Sequence, residues 1–379
     1  MAGLYIHVPF CQTRCAYCDF FTQTQLSYKD VYLQAVVREL EIRKDYAESE
    51  AIETIYWGGG TPSLLQPDDF EMIFNAINRF YTLSPNPEIT LEANPDDMIP
   101  IYVSALRELP FNRISMGVQS FHENDLRLLN RRHTAQQALN AVLCCQNAGY
   151  SNLNIDLIYG LPGQTLQRWE ENLDEALRLY IPHLSAYYLT YEEGTDLYRQ
   201  LQAGTIESVS EETGVQFFNL LIDKLEAADY LHYEISNFCK PDCFSQHNTA
   251  YWTDRKYIGI GAAAHSYNHN SRQWNVASLP DYIEGMTKTT PNIEKELIDE
   301  RTRYNDYILT HLRTMWGIQI PAFHEIFDGE RFDYLLRQSK TFLHNGMMEK
   351  DKENLKITRK GRLISDGIIR DLMAISSCF

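Results

Sequence analysis

The alternation of short apolar, β-branched runs with amphipathic stretches over residues 1–190 is what most restricts the folds open to this chain of 379 residues. Six runs have strand character, at residues 4–8, 52–57, 88–93, 113–117, 153–159 and 183–190. Helical periodicity fills the gaps, for example at 27–46, 67–81, 100–108 and 165–180, and several of these stretches open on Ser, Thr or Pro, as helix starts do. Strands separated by helices imply parallel pairing with crossover connections. Six such units predict an α/β fold, a partial (β/α)6 TIM-like barrel, with the reactive groups on the loops that follow the strands.

The polar residues obey that rule. A cysteine loop follows the first run, Gly58-Gly59-Gly60-Thr61-Pro62 the second, Glu92 ends the third, Gln119 follows the fourth, and Asp156 lies in the fifth. The cysteines are spaced Cys11-x3-Cys15-x2-Cys18. Three thiolates are one ligand fewer than a cubane iron–sulfur cluster has irons, which leaves one iron open to an outside ligand. A structural zinc ion would want a fourth protein ligand. The nearest donor, His7, sits inside the apolar run Leu4-Tyr5-Ile6-His7-Val8, so the spacing favours a cluster over zinc or unrelated thiols. The triple glycine lacks the Lys-Ser/Thr pair of a phosphate loop. Glycines let a backbone approach a ligand closely, but a tight turn capped by Thr61 is the simpler reading of that segment taken alone.

With 34 basic against 51 acidic residues the net charge is −17, which argues against a broad nucleic-acid or anionic-membrane surface. No segment is apolar enough to span a bilayer, and Met1-Ala2-Gly3-Leu4 enters structure without a signal-peptide core, so a cytoplasmic location is expected. Cys144, Cys145, Cys239, Cys243 and Cys378 show no disulfide spacing, as suits a reducing compartment. Cys144 and Cys145 read as core residues of a helix ending at Gly149. The set Cys239-x3-Cys243-x3-His247 offers metal-ligand residue types, but the Pro241-Asp242 turn spoils a helical presentation of them.

The segment Tyr5-Ile6-His7-Val8-Pro9-Phe10-Cys11 through Cys18-Asp19-Phe20 is followed by Tyr56-Trp57-Gly58-Gly59-Gly60-Thr61-Pro62 and Glu92-Ala93-Asn94-Pro95. Ser115-Met116-Gly117-Val118-Gln119 and Asn154-Ile155-Asp156-Leu157-Ile158-Tyr159-Gly160 complete the order. Together they closely resemble the radical S-adenosylmethionine (SAM) superfamily, in the branch of oxygen-independent coproporphyrinogen oxidases and haem chaperones. The resemblance implies a [4Fe–4S] cluster on Cys11, Cys15 and Cys18, with SAM on the open iron. It implies that Tyr17 packs against the adenine and that Gly59, Gly60 and Thr61 receive the methionyl amino group. Tyr5, Glu92, Gln119, Arg131 and Asp156 match side chains that contact SAM in the oxidase branch.

Departures from the oxidase pattern point to the haem-chaperone branch. Phe20 stands where the oxidase carries a further cysteine, and only four residues precede Tyr5, whereas the oxidase has a longer N-terminal extension. His247-Asn248-Thr249-Ala250-Tyr251-Trp252 matches the His-Asn-x-x-Tyr-Trp motif of the chaperones. Imidazole is a good axial ligand for haem iron and flanking aromatics suit a macrocycle, so His247 is the expected haem ligand. His265, among small residues, is the weaker candidate. The implied function is haem binding and transfer to an acceptor such as a respiratory haem protein, without classical turnover. The alternative is radical oxidative decarboxylation of coproporphyrinogen III. A haem-loaded homodimer is an open arrangement that nothing in the chain demonstrates.

The expected organisation is a core barrel at 1–190, an extension carrying the haem motif at 191–290, and a small winged-helix-like domain at 291–379. In the last, helices are expected at 294–316, 323–344 and 360–374, with a β-run at 354–358. The acidity of the chain makes that domain a cover for the barrel or a docking surface rather than a DNA reader.

Overall fold

A computed structural model describes residues 1–375; Cys378 lies outside them. The six expected strands are all present: β1 (Ala2–Val8), β2 (Ile52–Gly59), β3 (Leu83–Ala93), β4 (Arg113–Gln119), β5 (Asn152–Tyr159) and β6 (His183–Tyr188). They pair in sequence order and in parallel, forming the open partial barrel. Ile6, Trp57, Leu91, Ile114 and Ile155 are fully buried, because residues facing outward from the sheet are covered by helices such as Lys29–Ile42, Pro67–Phe80 and Leu166–Arg178. Local chemistry sets the helix starts: Thr134 accepts from the Gln137 backbone N–H while the Gln137 side chain accepts from the Thr134 N–H, opening helix Ala135–Asn147.

The sheet continues past both barrel edges. Short strands β7 (Leu231–His232) and β8 (Asn237–Cys239) follow β6 in antiparallel pairing. On the other side β9 (Tyr257–Ile260) pairs parallel with β1, and β10 (His265–Tyr267), β11 (Ser271–Asn275) and β12 (Ile293–Leu297) extend it antiparallel. The start of the helix expected at 294–316 is therefore strand β12, held by its ladder to β11; the helix itself runs Glu300–Leu312, opened by the Asp299 cap.

A second core, from Tyr304 to Ala374, belongs to the C-terminal part. Three helices, Glu300–Leu312, Ile320–Ile326 and Gly329–His344, precede a ribbon of β14 (Met348–Lys350) and β15 (Asn354–Ile357), with β13 (Ile318–Gln319) on its edge, a winged-helix-like order. The helix expected at 323–344 breaks at Phe327, where Asp328 caps the next helix through the Arg331 N–H. The last one divides into Arg359–Arg362 and Ser365–Leu372. Among the described residues no helix is long and apolar enough to cross a membrane.

Candidate SAM and iron–sulfur site

At the C-terminal ends of the barrel strands lies a cavity of about 390 Å³. Its walls bring together Cys11, Cys15, Cys18, Tyr17, Gly59, Gly60, Thr61, Glu92, Gln119, Arg131 and Asp156, residues scattered over about the first 160 positions of the chain. Of the expected site residues, Tyr5 and His247 alone lie outside this wall.

The cysteine loop is pinned by backbone. Cys11 N–H donates to Gln23 O and Gln23 N–H to Pro9 O, closing the loop at its neck, while Ala16 N–H donates to Leu129 O. Two of the sulfurs already receive hydrogen bonds: Thr61 Oγ1 donates to Cys11 Sγ at 3.4 Å and Arg131 Nη1 to Cys15 Sγ at 3.1 Å. Such donors stabilise thiolate. Burial nevertheless pushes the thiols of Cys11 and Cys18 up, Cys18 to about 11, so ligation must displace protons. Among the described residues no three His, Cys, Asp or Glu side chains converge tightly enough for a single metal ion. Three thiols spread around one cavity, with sulfur-directed donors in place, fit a cluster; they do not form a ready zinc site. Cys239, Cys243 and His247 do not form one either.

Arg131 is held by Gly117 O at 2.7 Å and by Asn94 Oδ1, a partner that a search for charged or thiol residues does not flag. Beside it Arg132 pairs with Asp96 and Asp97, which ties the loop after β4 to the end of β3. Glu92 accepts from Tyr56 OH at 2.8 Å and from Gly59 N–H at 3.1 Å. Burial raises its carboxyl to about 7 against the pull of these donors. Asp156 is also raised by burial, and Asn154 donates to it at 2.8 Å. Gln119 ends β4 at φ +67°, a left-handed backbone unusual for a residue with a side chain, and such strain concentrates at ligand sites.

The glycine motif is required sterically. Gly59 has φ +110°, and a Cβ there would stand 2.5 Å from the His7 ring. Gly60 has no room either, with Phe10 O at 2.7 Å from such a carbon. Gly59→Ala is therefore expected to lower stability by about 2–4 kcal/mol, from backbone strain plus overpacking. A denaturation curve showing less than about 0.5 kcal/mol, on the scale of an ordinary surface change, would refute the steric account.

Tyr5 lies one layer beneath the cavity, its OH 3.1 Å from His7 Nδ1 and its ring stacked on Tyr56. His247 lies deeper still, at the opposite end of the barrel. Helix Gln246–Trp252 closes that end, capped by Ser245, and inserts the imidazole against Gly3 and Thr54 at the strand starts. Nδ1 is 2.7 Å from Thr54 Oγ1, Nε2 is 2.8 Å from Tyr251 OH, and the ring stacks on Tyr56 at 5.0 Å. Burial, with Arg113 nearby, lowers its pKa to about 3, so the ring is neutral. The structure thus separates His247 from the cysteines and occupies both its ring nitrogens. His265 sits on β10 against Trp274, away from both places.

Comparison with known proteins bears on the family and the fold. The Radical SAM superfamily model matches residues 5–176 and the HemN C-terminal domain model residues 298–364. The heme chaperone HemW of Mycobacterium tuberculosis is 31% identical over 98% of this chain and 94% of its own length. HemW of Bacillus subtilis is 32% identical over 97% and 98%. Among solved structures, coproporphyrinogen III oxidase (HemN) from Escherichia coli superposes with a TM-score of 0.86 at 22% identity, over 98% of this chain and 90% of that one, which bears on the fold. The chain belongs to the radical SAM superfamily and, within it, to the family of the HemW haem chaperones.

Proposed function

We propose that this protein is a cytoplasmic haem chaperone that takes up haem and passes it to an acceptor haem protein, while holding a [4Fe–4S] cluster and exchangeable SAM in the barrel cavity. The observation that carries the reading is similarity to curated haem chaperones along nearly the whole chain, C-terminal part included. When bound, the cluster supplies a redox-active iron with an open coordination position. Cys11, Cys15 and Cys18 would hold it, Thr61 and Arg131 donate to two of the sulfurs, and Glu92 and Asp156 on the cavity wall would serve SAM as hydrogen-bond acceptors. Phe20, 65% exposed on the cavity wall, supplies apolar surface where the oxidase branch supplies a thiol.

Haem ligation by His247 would require one ring nitrogen to give up its hydroxyl partner, Thr54 at Nδ1 or Tyr251 at Nε2, and hence the floor helix to loosen from the barrel. Anaerobic haem titration of the cluster-reconstituted protein, followed in the Soret band, tests this. Stoichiometric binding that is lost in His247→Ala and retained or strengthened in Tyr251→Phe is the expected result. The second variant guards against simple unfolding of the first. Absence of specific binding in the parent, or formation of protoporphyrinogen from coproporphyrinogen III with SAM under reduction, would overturn the chaperone reading in favour of the oxidase.

A further inference from the structure

Arg113 opens β4 on the inner face of the barrel, the face that also carries Ser115 and Gly117 to the cavity wall. It is 1% exposed, and its guanidinium makes no hydrogen bond or ion pair with any described residue; Nε is sealed from solvent without a partner. Its neighbours in register, Thr90 on β3 and Asn152 on β5, each leave a side-chain oxygen unpartnered as well. A guanidinium does not shed its proton, and a buried charge without compensation is strongly unfavourable. The compensation must therefore act at longer range, inside the barrel.

Two carboxylates at the cavity are placed to supply it; a third, Glu88, lies two residues before Thr90 on the same face of β3 but at the floor, where it accepts from the His247 backbone N–H at 3.1 Å. Glu92 lies two residues beyond Thr90 on β3, and Asp156 four beyond Asn152 on β5, both on the inner face and neither in an ion pair. The other groups around them are Tyr5 from β1, Tyr17 from the cysteine loop, Tyr56 from β2, Tyr187 from β6, Tyr233 and Glu234 from the segment between β7 and β8, and Tyr251 from the floor helix, together with the neutral imidazoles of His183 and His247. Arg131, the cation above them, is committed to Cys15, Asn94 and Gly117. Among the described residues that leaves Arg113 as the buried cation without a hydrogen-bond or ion-pair partner to balance the pair, with Arg131 adding to it at Asp156.

We propose that Arg113 is a positioning residue for SAM: a buried counter-cation beneath the cavity that holds Glu92 and Asp156 as carboxylates, ready to accept the ammonium and hydroxyl donors of the ligand. This rests on the reading that SAM occupies the cavity. Burial raises both carboxyls and Arg113 opposes that rise, in agreement with the placement. A carboxyl in its protonated form is a weaker acceptor for an ammonium group, so removing the cation penalises SAM most at lower pH.

The test compares Arg113→Met and Arg113→Lys in the cluster-reconstituted full chain. SAM affinity is measured against pH by calorimetry, and the infrared band of protonated carboxyl is followed without SAM, with Glu92→Gln assigning it. Arg113→Met is expected to raise the pH at which the band disappears and to weaken SAM about tenfold near neutrality, the counterpart of about one pKa unit, with recovery at higher pH. Arg113→Lys, which keeps the charge, is expected to stay within about twofold of the parent. An unchanged pH profile in Arg113→Met, or equal loss at every pH in both variants, would overturn the proposal. If the parent itself binds no SAM, the cavity reading fails and the infrared arm still decides the role of Arg113.

Discussion

Cys15→Ser is expected to abolish cluster incorporation, with iron and acid-labile sulfide at background after reconstitution and SAM binding lost with them. Three thiols line the cavity, so the substitution leaves two, and a serine oxygen is a poor substitute for thiolate towards iron in a cluster. Among the described residues no reserve thiol is at hand: Cys144, Cys145, Cys239 and Cys243 are absent from the cavity wall, and Phe20 occupies the nearby position where a further cysteine stands in the oxidase branch. The fold should tolerate the change. The loop is fixed by backbone bonds at Cys11, Gln23 and Ala16, and Leu197 N–H donates to Ala16 O, none of which involves the Cys15 side chain. The cluster-free variant should therefore unfold within about 1 kcal/mol of the cluster-free parent, the scale of one lost hydrogen bond. Retention of a full cluster with normal SAM affinity would remove Cys15 from the ligand set.

The barrel was legible because its strands are buried on both faces and read as compact apolar runs between amphipathic stretches. The register that brings Cys11, Glu92, Arg131 and Asp156 to one rim follows from strand order, so their convergence could be anticipated from motif order and strand ends. Strand β12 was not legible: Ile293–Leu297 carries three charges in five residues, and only the ladder to β11 makes it a strand. The break at Phe327 was likewise hidden inside a periodic stretch, although Asp328 followed by Gly329 was an available stop-and-start signal. His247 shows a different limit. Its motif identifies a distinctive segment, but the partner Thr54 lies 193 positions away, and only closure of the barrel floor puts the ring in a sealed site. Arg113 reads as an ordinary strand start, since a charge without a partner is a property of the assembled interior.

Acidification from about pH 7 to about pH 5 is expected to cost the cluster-free protein roughly 4 kcal/mol, a large share of the stability of a typical domain. Burial lowers the pKa of His7 to about 4 and those of His133 and His232 to about 3. Each ring donates Nε2–H to a backbone carbonyl, of Phe21, Val118 and Ile235 respectively. Nδ1 of His133 and of His232 is sealed without a partner, so a second proton there would find no acceptor. The unfolded chain takes up those protons near the ordinary imidazole value of about 6.5, whereas the native state does not. Stability is therefore fully present above that value and falls as pH drops through it towards the folded values. At about pH 5 each imidazole contributes a loss of roughly 2 kcal/mol. Glu92 acts in the opposite sense: its raised carboxyl holds a proton that the unfolded chain releases between about 4.5 and 7, which returns about 2 kcal/mol on acidification. Asp97, Asp156, Glu234 and Asp306, also raised by burial, act with Glu92, while His183, His247, His265 and His311, also lowered by burial, act with the other three rings, so that seven lowered imidazoles against five raised carboxyls leave the sign with the histidines. Urea denaturation at a series of pH values reads the slope directly, and His133→Gln should lessen the loss by about 2 kcal/mol, the contribution of one imidazole. A stability that stays level from about pH 7 to about pH 5 would mean that these rings accept protons in the folded state, and the neutral, sealed imidazoles described for the barrel would have to be abandoned.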